Sequence, residues 1–345
     1  MHESGVLLRI DAQHPEPDRI ARAARVLADG GLVAFPTETV YGLGANALNA
    51  DAVRRIYVAK GRPTWNPVIA HVASIADARD LVTSWPDAAE RLAAAFWPGP
   101  LTLVLPKRDT VPDVATAGLS AIGVRIPNHP VALALLRATG FPVAAPSANR
   151  FTEISPTTAQ HVMTSLGDRV DLILDGGVCD VGIESTVLDL GGDTPTVLRP
   201  GMISGAQLAA ILGYPVRDHF AVTVAAHGVA EAQRSPGAAD RHYAPRAEVW
   251  LCDASDVSEV SEALGRRASD ASPSRVTALL LGISLPAAAY QITVRMPLDA
   301  DDYARHLYAA LHNADAAGSS LIVIERPPDT DAWIGVRNRL ERAAH

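Results

Sequence analysis

Over the first 200 residues, apolar residues spaced for one helix face alternate with short unbroken apolar runs. That alternation confines the chain to an α/β sheet architecture. Ile20, Ala23, Ala24 and Leu27 mark a helix over 17–29, and Gly30-Gly31 end it before a buried strand at 32–35. A helix capped by Asn49 or Asp51 runs to Lys60, and a strand follows over 68–72. Helices are read over 75–82, 86–96, 129–139 and 157–166, and strands over 101–106, 121–127, 142–146, 172–175, 185–190 and 196–200. Ser204 caps a helix reaching Leu212. From 214 to 245 the period disappears, so this stretch reads as a linker. A second alternation follows, with strands at 248–252, 277–282, 291–296 and 321–325 and helices at 255–267, 300–317 and 331–343. The expected division is a catalytic domain over 1–213, a linker over 214–245 and a smaller α/β domain over 246–345.

Composition removes several classes of function. The 345 residues carry a net charge of −8, which argues against a general nucleic-acid binder or a binder of anionic membranes. Cys179 and Cys252 match no metal-ligand spacing and make no disulfide framework, so a cytoplasmic setting is expected. The polar N-terminus lacks an export signal, and the most apolar stretch, 276–285, is about half of what a membrane span needs. Only Lys60 and Lys107 are lysines.

Several segments carry the residue types that chemistry needs. In FPTETVYGLGANA (35–47), Gly42 to Ala47 fits a dinucleotide fingerprint, but no strand with an acidic end follows about 20 positions on. Gly42 and Gly44 therefore read as turn glycines, while Thr37 and Thr39 offer hydroxyls after a strand. Gly61 and Pro63 end the helix at Lys60 and leave Lys60 and Arg62 on a loop able to present donors to phosphate; the helix C-terminus alone would also favour these cations. His71 ends a strand, where a core role and a site role fit equally. In PVAAPSANR (142–150), Ser147 and Asn149 stand on the loop leaving a strand, where turn chemistry competes with ligand binding. Arg125 and Arg199 lie within or at the end of apolar strands and need partners there, either Glu38 or Glu184 or a bound anion. No HExxH, Walker A, paired-cysteine or nucleophile-elbow pattern is present.

These segments, together with KGRPTWNPVIAHV (60–72), WPGPLTLVL (97–105), VRIPNHPVALALL (124–136), ISPTTAQHV (154–162), ILDGGVCDVGIESTVLDL (173–190) and LRPGMIS (198–204), closely resemble the Sua5/YrdC/YciO family over roughly 15–205. RSPGAADRHYAP (234–245) resembles the linker motif of its longer, two-domain Sua5-type members. The resemblance implies an open, twisted, mixed sheet with a concave active-site cavity, followed by a smaller Rossmann-like α/β domain. It implies synthesis of threonylcarbamoyl-AMP from L-threonine, bicarbonate or CO2, and ATP, with release of pyrophosphate. The product would pass to the t6A transferase machinery that modifies tRNA, without stable binding of nucleic acid by this chain. Mg2+ would arrive with ATP, with no ligand from the protein. By the family's pattern Arg62, Asn66, Ser147, Asn149, Ser155, Arg199 and Tyr243 contact ATP, while Thr39, His71, Arg125 and Ser185 hold L-threonine. Lys60 is assigned to bicarbonate or the reacting phosphate, and with Arg62 forms the catalytic pair.

Two departures stand out. Phe151-Thr152 replaces the family's usual Ser-Gly pair, and Ala238-Ala239 stands in the linker where the pattern has Met and an aromatic or basic residue. Two other functions stay open on the sequence: a carbamoyl-adenylate enzyme with another acceptor, and a non-catalytic RNA-binding module of the same fold.

Overall fold

The computed structural model describes residues 6–218, 242–268, 275–285 and 292–344. The first domain contains β1 (Val6–Arg9), α1 (Pro17–Ala28), β2 (Val33–Phe35), β3 (Gly42–Asn46), α2 (Ala50–Lys60), β4 (Ile69–His71), α3 (Ile75–Arg79), α4 (Asp87–Phe96) and β5 (Leu101–Pro106). It continues with α5 (Asp113–Thr116), β6 (Ala121–Arg125), α6 (Pro130–Thr139), β7 (Val143–Ala144), α7 (Ala159–Ser165), β8 (Leu172–Asp175), β9 (Thr186–Asp189), β10 (Thr196–Arg199), α8 (Gly205–Leu212) and β11 (Arg217–Asp218). The second contains β12 (Glu248–Cys252), α9 (Val257–Ala268), β13 (Val276–Leu280), β14 (Ile292–Arg295), α10 (Ala300–Ala316), β15 (Leu321–Glu325) and α11 (Ile334–Ala343).

The first sheet is mixed, in the order β1-β8-β2-β3-β7-β4-β6-β5-β9-β10-β11; the second is parallel, in the order β12-β15-β13-β14. Both agree with the expected α/β classes. In the first sheet alternate residues serve opposite faces. Ala70, Leu103, Val124 and Leu188 point into the main core, while Ile69, Val104 and Val187 form a small apolar floor on the other face. His71 pairs in register with Arg125 across the parallel β4–β6 ladder, so two candidate site residues share one strand end.

Gly42 and Gly44 are not turn residues, as the sequence suggested, but lie in β3, antiparallel to β2 and β7. A Cβ on Gly44 would come within 2.9 Å of both Phe35 and Val143, so the glycine allows close approach of the three strands. The short strands β1 and β11 and the helix α5 also escaped the pattern reading. β11 falls inside the stretch read as a linker, and residues 219–241 of that stretch, with Ala238-Ala239, lie outside the described residues.

Helix ends follow the local sequence. Asn49 accepts the amides of Asp51 and Ala52 at the start of α2, and Gly61, at φ +62°, closes its C-terminus in the left-handed conformation. That turn sends Arg62 back under the helix, toward Asn66 and Pro67.

Candidate active site

A cleft lies over the first sheet, at the ends of β4 and β6. Eight of the twelve residues expected in the site line it: Thr39, Arg62, His71, Arg125, Ser147, Ser185, Arg199 and Tyr243. An adjoining groove of about 760 Å³ runs along the apolar floor, and Ile69 lines both. Asn66, Lys60, Asn149 and Ser155 stand one layer behind the wall, and each holds a neighbour. Asn66 Oδ1 accepts from Arg62 Nη2 at 2.5 Å, and the Pro67 carbonyl accepts from the same nitrogen at 2.7 Å. Lys60 Nζ donates to the Ser147 carbonyl at 2.6 Å and to the Asn149 carbonyl, so the buried amino group fixes the loop that presents Ser147. Burial and then Arg62 push its pKa well below the usual lysine range. Asn149 Nδ2 donates to the carbonyls of Arg150 and Glu153, both at 2.8 Å. Ser155 donates its hydroxyl proton to Glu184.

Both glutamates weighed from the sequence matter, in different ways. Arg125 Nη2 lies 2.7 Å from Glu38 Oε1, in a pair whose two side chains are about 95% buried. The contact is electrostatic rather than aligned: neither the two Glu38 oxygens nor Arg125 Nη2 make a hydrogen bond among the described residues. Arg199 instead donates to the Ser185 carbonyl from Nε and Nη2, at 3.1 and 3.0 Å, and to the Ser185 hydroxyl at 3.1 Å. That hydroxyl also meets Thr102 Oγ1 at 2.8 Å, and Thr37 and Thr39 join their hydroxyls at 2.9 Å.

The electrostatics favour an anion. Three buried guanidiniums, Arg62, Arg125 and Arg199, line the cleft with one carboxylate, Glu184, while Glu38 stands behind Arg125. Burial lowers Arg62 to about 10, still cationic at neutral pH. Burial and then Arg125 depress His71 to about 3, so it is a neutral imidazole. Its Nδ1, the Tyr243 hydroxyl and His242 Nδ1 are buried without hydrogen-bond partners among the described residues. Such groups carry a desolvation cost that a polar ligand relieves.

The linker motif closes one wall. His242 and Tyr243 line the cleft, with Tyr243 at φ +60°, in ring contact with each other at 4.1 Å. Phe151, one of the departures from the family pattern, meets His242 edge-on at 5.6 Å. Thr152, the other, adopts φ +72°, so a β-branched residue takes the left-handed conformation that glycine adopts freely. Its carbonyl accepts from Ala244 at 3.0 Å, which ties the loop to the linker.

Residues missed from the sequence come from the second domain. Arg339 and Tyr308 reach Glu184, and His312 reaches Ser155. One signal was available: Arg339 falls with Val336, Leu340 and Ala343 on the buried stripe of α11, where a charge needs a partner.

The fold and cleft define a two-domain α/β protein whose first domain holds a buried, cation-rich cleft with His242 and Tyr243 in its wall. The chain belongs to the Sua5/YciO/YrdC family. Residues 25–201 match that family, described as telomere recombination, and residues 203–345 match the C-terminal domain of threonylcarbamoyl-AMP synthase. A threonylcarbamoyl-AMP synthase of Bacillus subtilis is 41% identical over 333 residues, covering 94% of this chain and 93% of the relative. The crystal structure of Pyrococcus abyssi Sua5 complexed with L-threonine superposes with a TM-score of 0.89 at 39% identity, covering 98% of this chain and 97% of that one. Escherichia coli YciO, at 27% identity and a TM-score of 0.51, covers 57% of this chain and 96% of its own. Among the described residues no helix is long and apolar enough to cross a membrane.

Proposed function

We propose that this chain makes threonylcarbamoyl-AMP from L-threonine, bicarbonate or CO2, and ATP, releasing pyrophosphate, and that the product feeds t6A modification of tRNA. The observation that carries this reading is the burial of Arg62, Arg125 and Arg199 around one cleft. Three fixed cations against two carboxylates suit substrates that bring a carboxylate and a polyphosphate together. The names of relatives that span nearly the whole chain support the same reaction.

In this reading the amine of L-threonine takes up CO2, and the resulting carbamate oxygen attacks the α-phosphorus of ATP. The bond from that phosphorus to the bridging oxygen breaks, and pyrophosphate leaves. Arg125, with Thr39, His71 and Ser185, holds L-threonine, and neutral His71 serves as a hydrogen-bonding group rather than a charge. Arg62, Ser147, Arg199 and Tyr243 face ATP, with Asn66, Asn149 and Ser155 supporting them from behind. Lys60 braces the Ser147–Asn149 loop and is assigned to bicarbonate or the reacting phosphate. Such a transfer needs placed donors more than covalent help from protein. The donor set fits Mg2+ carried on the nucleotide's own oxygens, since Glu38 and Glu184 already face Arg125 and Arg339; the ion would neutralise phosphate charge.

The test is pyrophosphate release with each substrate omitted in turn, with the product identified by mass. Turnover is expected only with L-threonine, bicarbonate and ATP together. An equal rate without L-threonine overturns the reading. Arg62→Ala is expected to lower turnover about 10²–10³-fold, the range for losing one fixed charge donor, and to abolish most of the thermal shift produced by ATP plus L-threonine.

A further inference from the structure

Ser155 is held by the second domain directly at its carbonyl and, through Glu184 of the first domain, at its hydroxyl. His312 on α10 places Nε2 3.2 Å from the Ser155 carbonyl, and its ring stacks on His161 of α7 with centroids 3.8 Å apart. At the other end the Ser155 hydroxyl donates to Glu184 Oε1. The second oxygen of Glu184 accepts from Arg339 Nε at 2.7 Å and from the Tyr308 hydroxyl at 3.0 Å. Arg339 is fully buried and donates from Nη1 to the Pro200 carbonyl at 2.9 Å, one residue beyond Arg199. Its guanidinium lies 5.1 Å from the centre of the Tyr243 ring. Glu184 is therefore a wall residue of the cleft with one oxygen turned to the first domain and the other claimed by the second.

A carboxylate this buried would be costly without compensation. Burial pushes its pKa up, but Arg339 and Arg199 outweigh that and hold Glu184 at about 2, ionised. An ionised Glu184 can only accept, so Ser155 must give it its proton. That donation fixes the Ser155 side chain behind the cleft wall that Glu184, Arg199 and Ser147 line.

We infer that Arg339 and Tyr308 are positioning residues for the nucleotide: through Glu184 they fix Ser155 and bias Arg199, so the second domain builds part of the ATP site without touching ATP. The inference rests on the assignment of Ser155 and Arg199 to ATP made above. At the opposite end of the cleft Arg125 and Thr39 take their contacts within the first domain. Arg125 is placed by Glu38 and by the Gly99 carbonyl at 3.1 Å, and Thr39 by Thr37. The second domain should thus affect affinity for ATP and not for L-threonine, whereas a purely adhesive interface would affect neither or both.

The experiment measures ATP and L-threonine binding separately by calorimetry on the full chain, with kcat and KM for each substrate. Arg339→Met is expected to weaken ATP at least about tenfold, as loss of a buried charged contact does, and to leave L-threonine within about twofold of wild type. Arg339→Lys should recover part of the loss. Tyr308→Phe leaves no buried charge unpaired and keeps the test valid if Arg339→Met does not fold; it should weaken ATP about two- to fivefold, as for one hydrogen bond. In a Ser155→Ala background, Tyr308→Phe should have a much smaller effect, because the same chain of contacts is already broken. Folded variants with wild-type ATP affinity, parallel losses for both substrates, or full additivity with Ser155→Ala each overturn the inference and leave the proposed function standing. A wild-type chain that does not bind ATP overturns the functional reading and the inference together.

Discussion

The two sheets treat anions in opposite ways. At the carboxyl ends of parallel strands, where α/β sheets commonly bind ligands, the second domain supplies its own anion. Glu325 Oε2 accepts the backbone N–H groups of Leu281, Gly282 and Ile283 at 2.6, 2.8 and 3.0 Å. Beside it Arg326 pairs with Asp253 at 3.1 Å, partly in solvent. In the first domain the convergent donors are buried guanidiniums and hydroxyls facing a cleft, and behind Arg125 neither oxygen of Glu38 makes a hydrogen bond among the described residues. A side chain that fills its own nest adds rigidity and removes a ligand site, whereas a cluster of fixed cations is useful only to something that arrives. On the reading proposed above, the first domain binds and the second braces it.

Substitutions at three places would break or sharpen that contrast. The largest effect is expected at Arg125. Arg125→Ala leaves Glu38 buried and unpaired, at a cost of about 3–5 kcal/mol, read by denaturant unfolding. Replacing both members, Arg125→Met with Glu38→Leu, should recover most of that stability yet abolish L-threonine binding in calorimetry. If the double variant stays as unstable as the single one, the pair is structural and the contrast fails. Next, Glu325→Ala strands three amides and should cost about 1–3 kcal/mol, with added inorganic phosphate restoring part of it and ATP affinity unchanged. A loss of ATP affinity in that variant would show that the second sheet does more than brace. Least affected should be Arg326→Ala, because its pair with Asp253 is partly exposed; less than about 1 kcal/mol is expected in thermal unfolding.

Much of the first domain was legible because its local signals agree. The stripe Ile20, Ala23, Ala24 and Leu27 is the buried face of α1, Asn49 caps α2, and Ser204 forms a capping box with Gln207. The loop position of Arg62 was legible too, since Gly61 and Pro63 had to end the helix. Lys60, expected on the same loop, stays in the last turn of α2 because the left-handed turn comes only at Gly61. β3 was not, because glycine-rich strands have weak propensity of their own and are held by neighbours on both sides. Nor was the shape of the 149–155 loop, where Thr152 takes the glycine-like conformation against its own preference and is tied to Ala244.

By itself the sequence determined the α/β class, the positions of most elements and the fact that Lys60, Arg62, Arg125 and Arg199 sit where helices or strands end. Periodicity reports which face of an element is buried, and those faces are local properties. Only the tertiary structure decided what each buried charge meets. Arg339 and Glu184 stand 155 residues apart, and nothing in either neighbourhood names the other. Their pairing depends on how α11 docks against the first domain, a long-range packing outcome that no local pattern encodes. Through that packing a helix near the end of the chain reaches the wall of a site more than a hundred residues upstream.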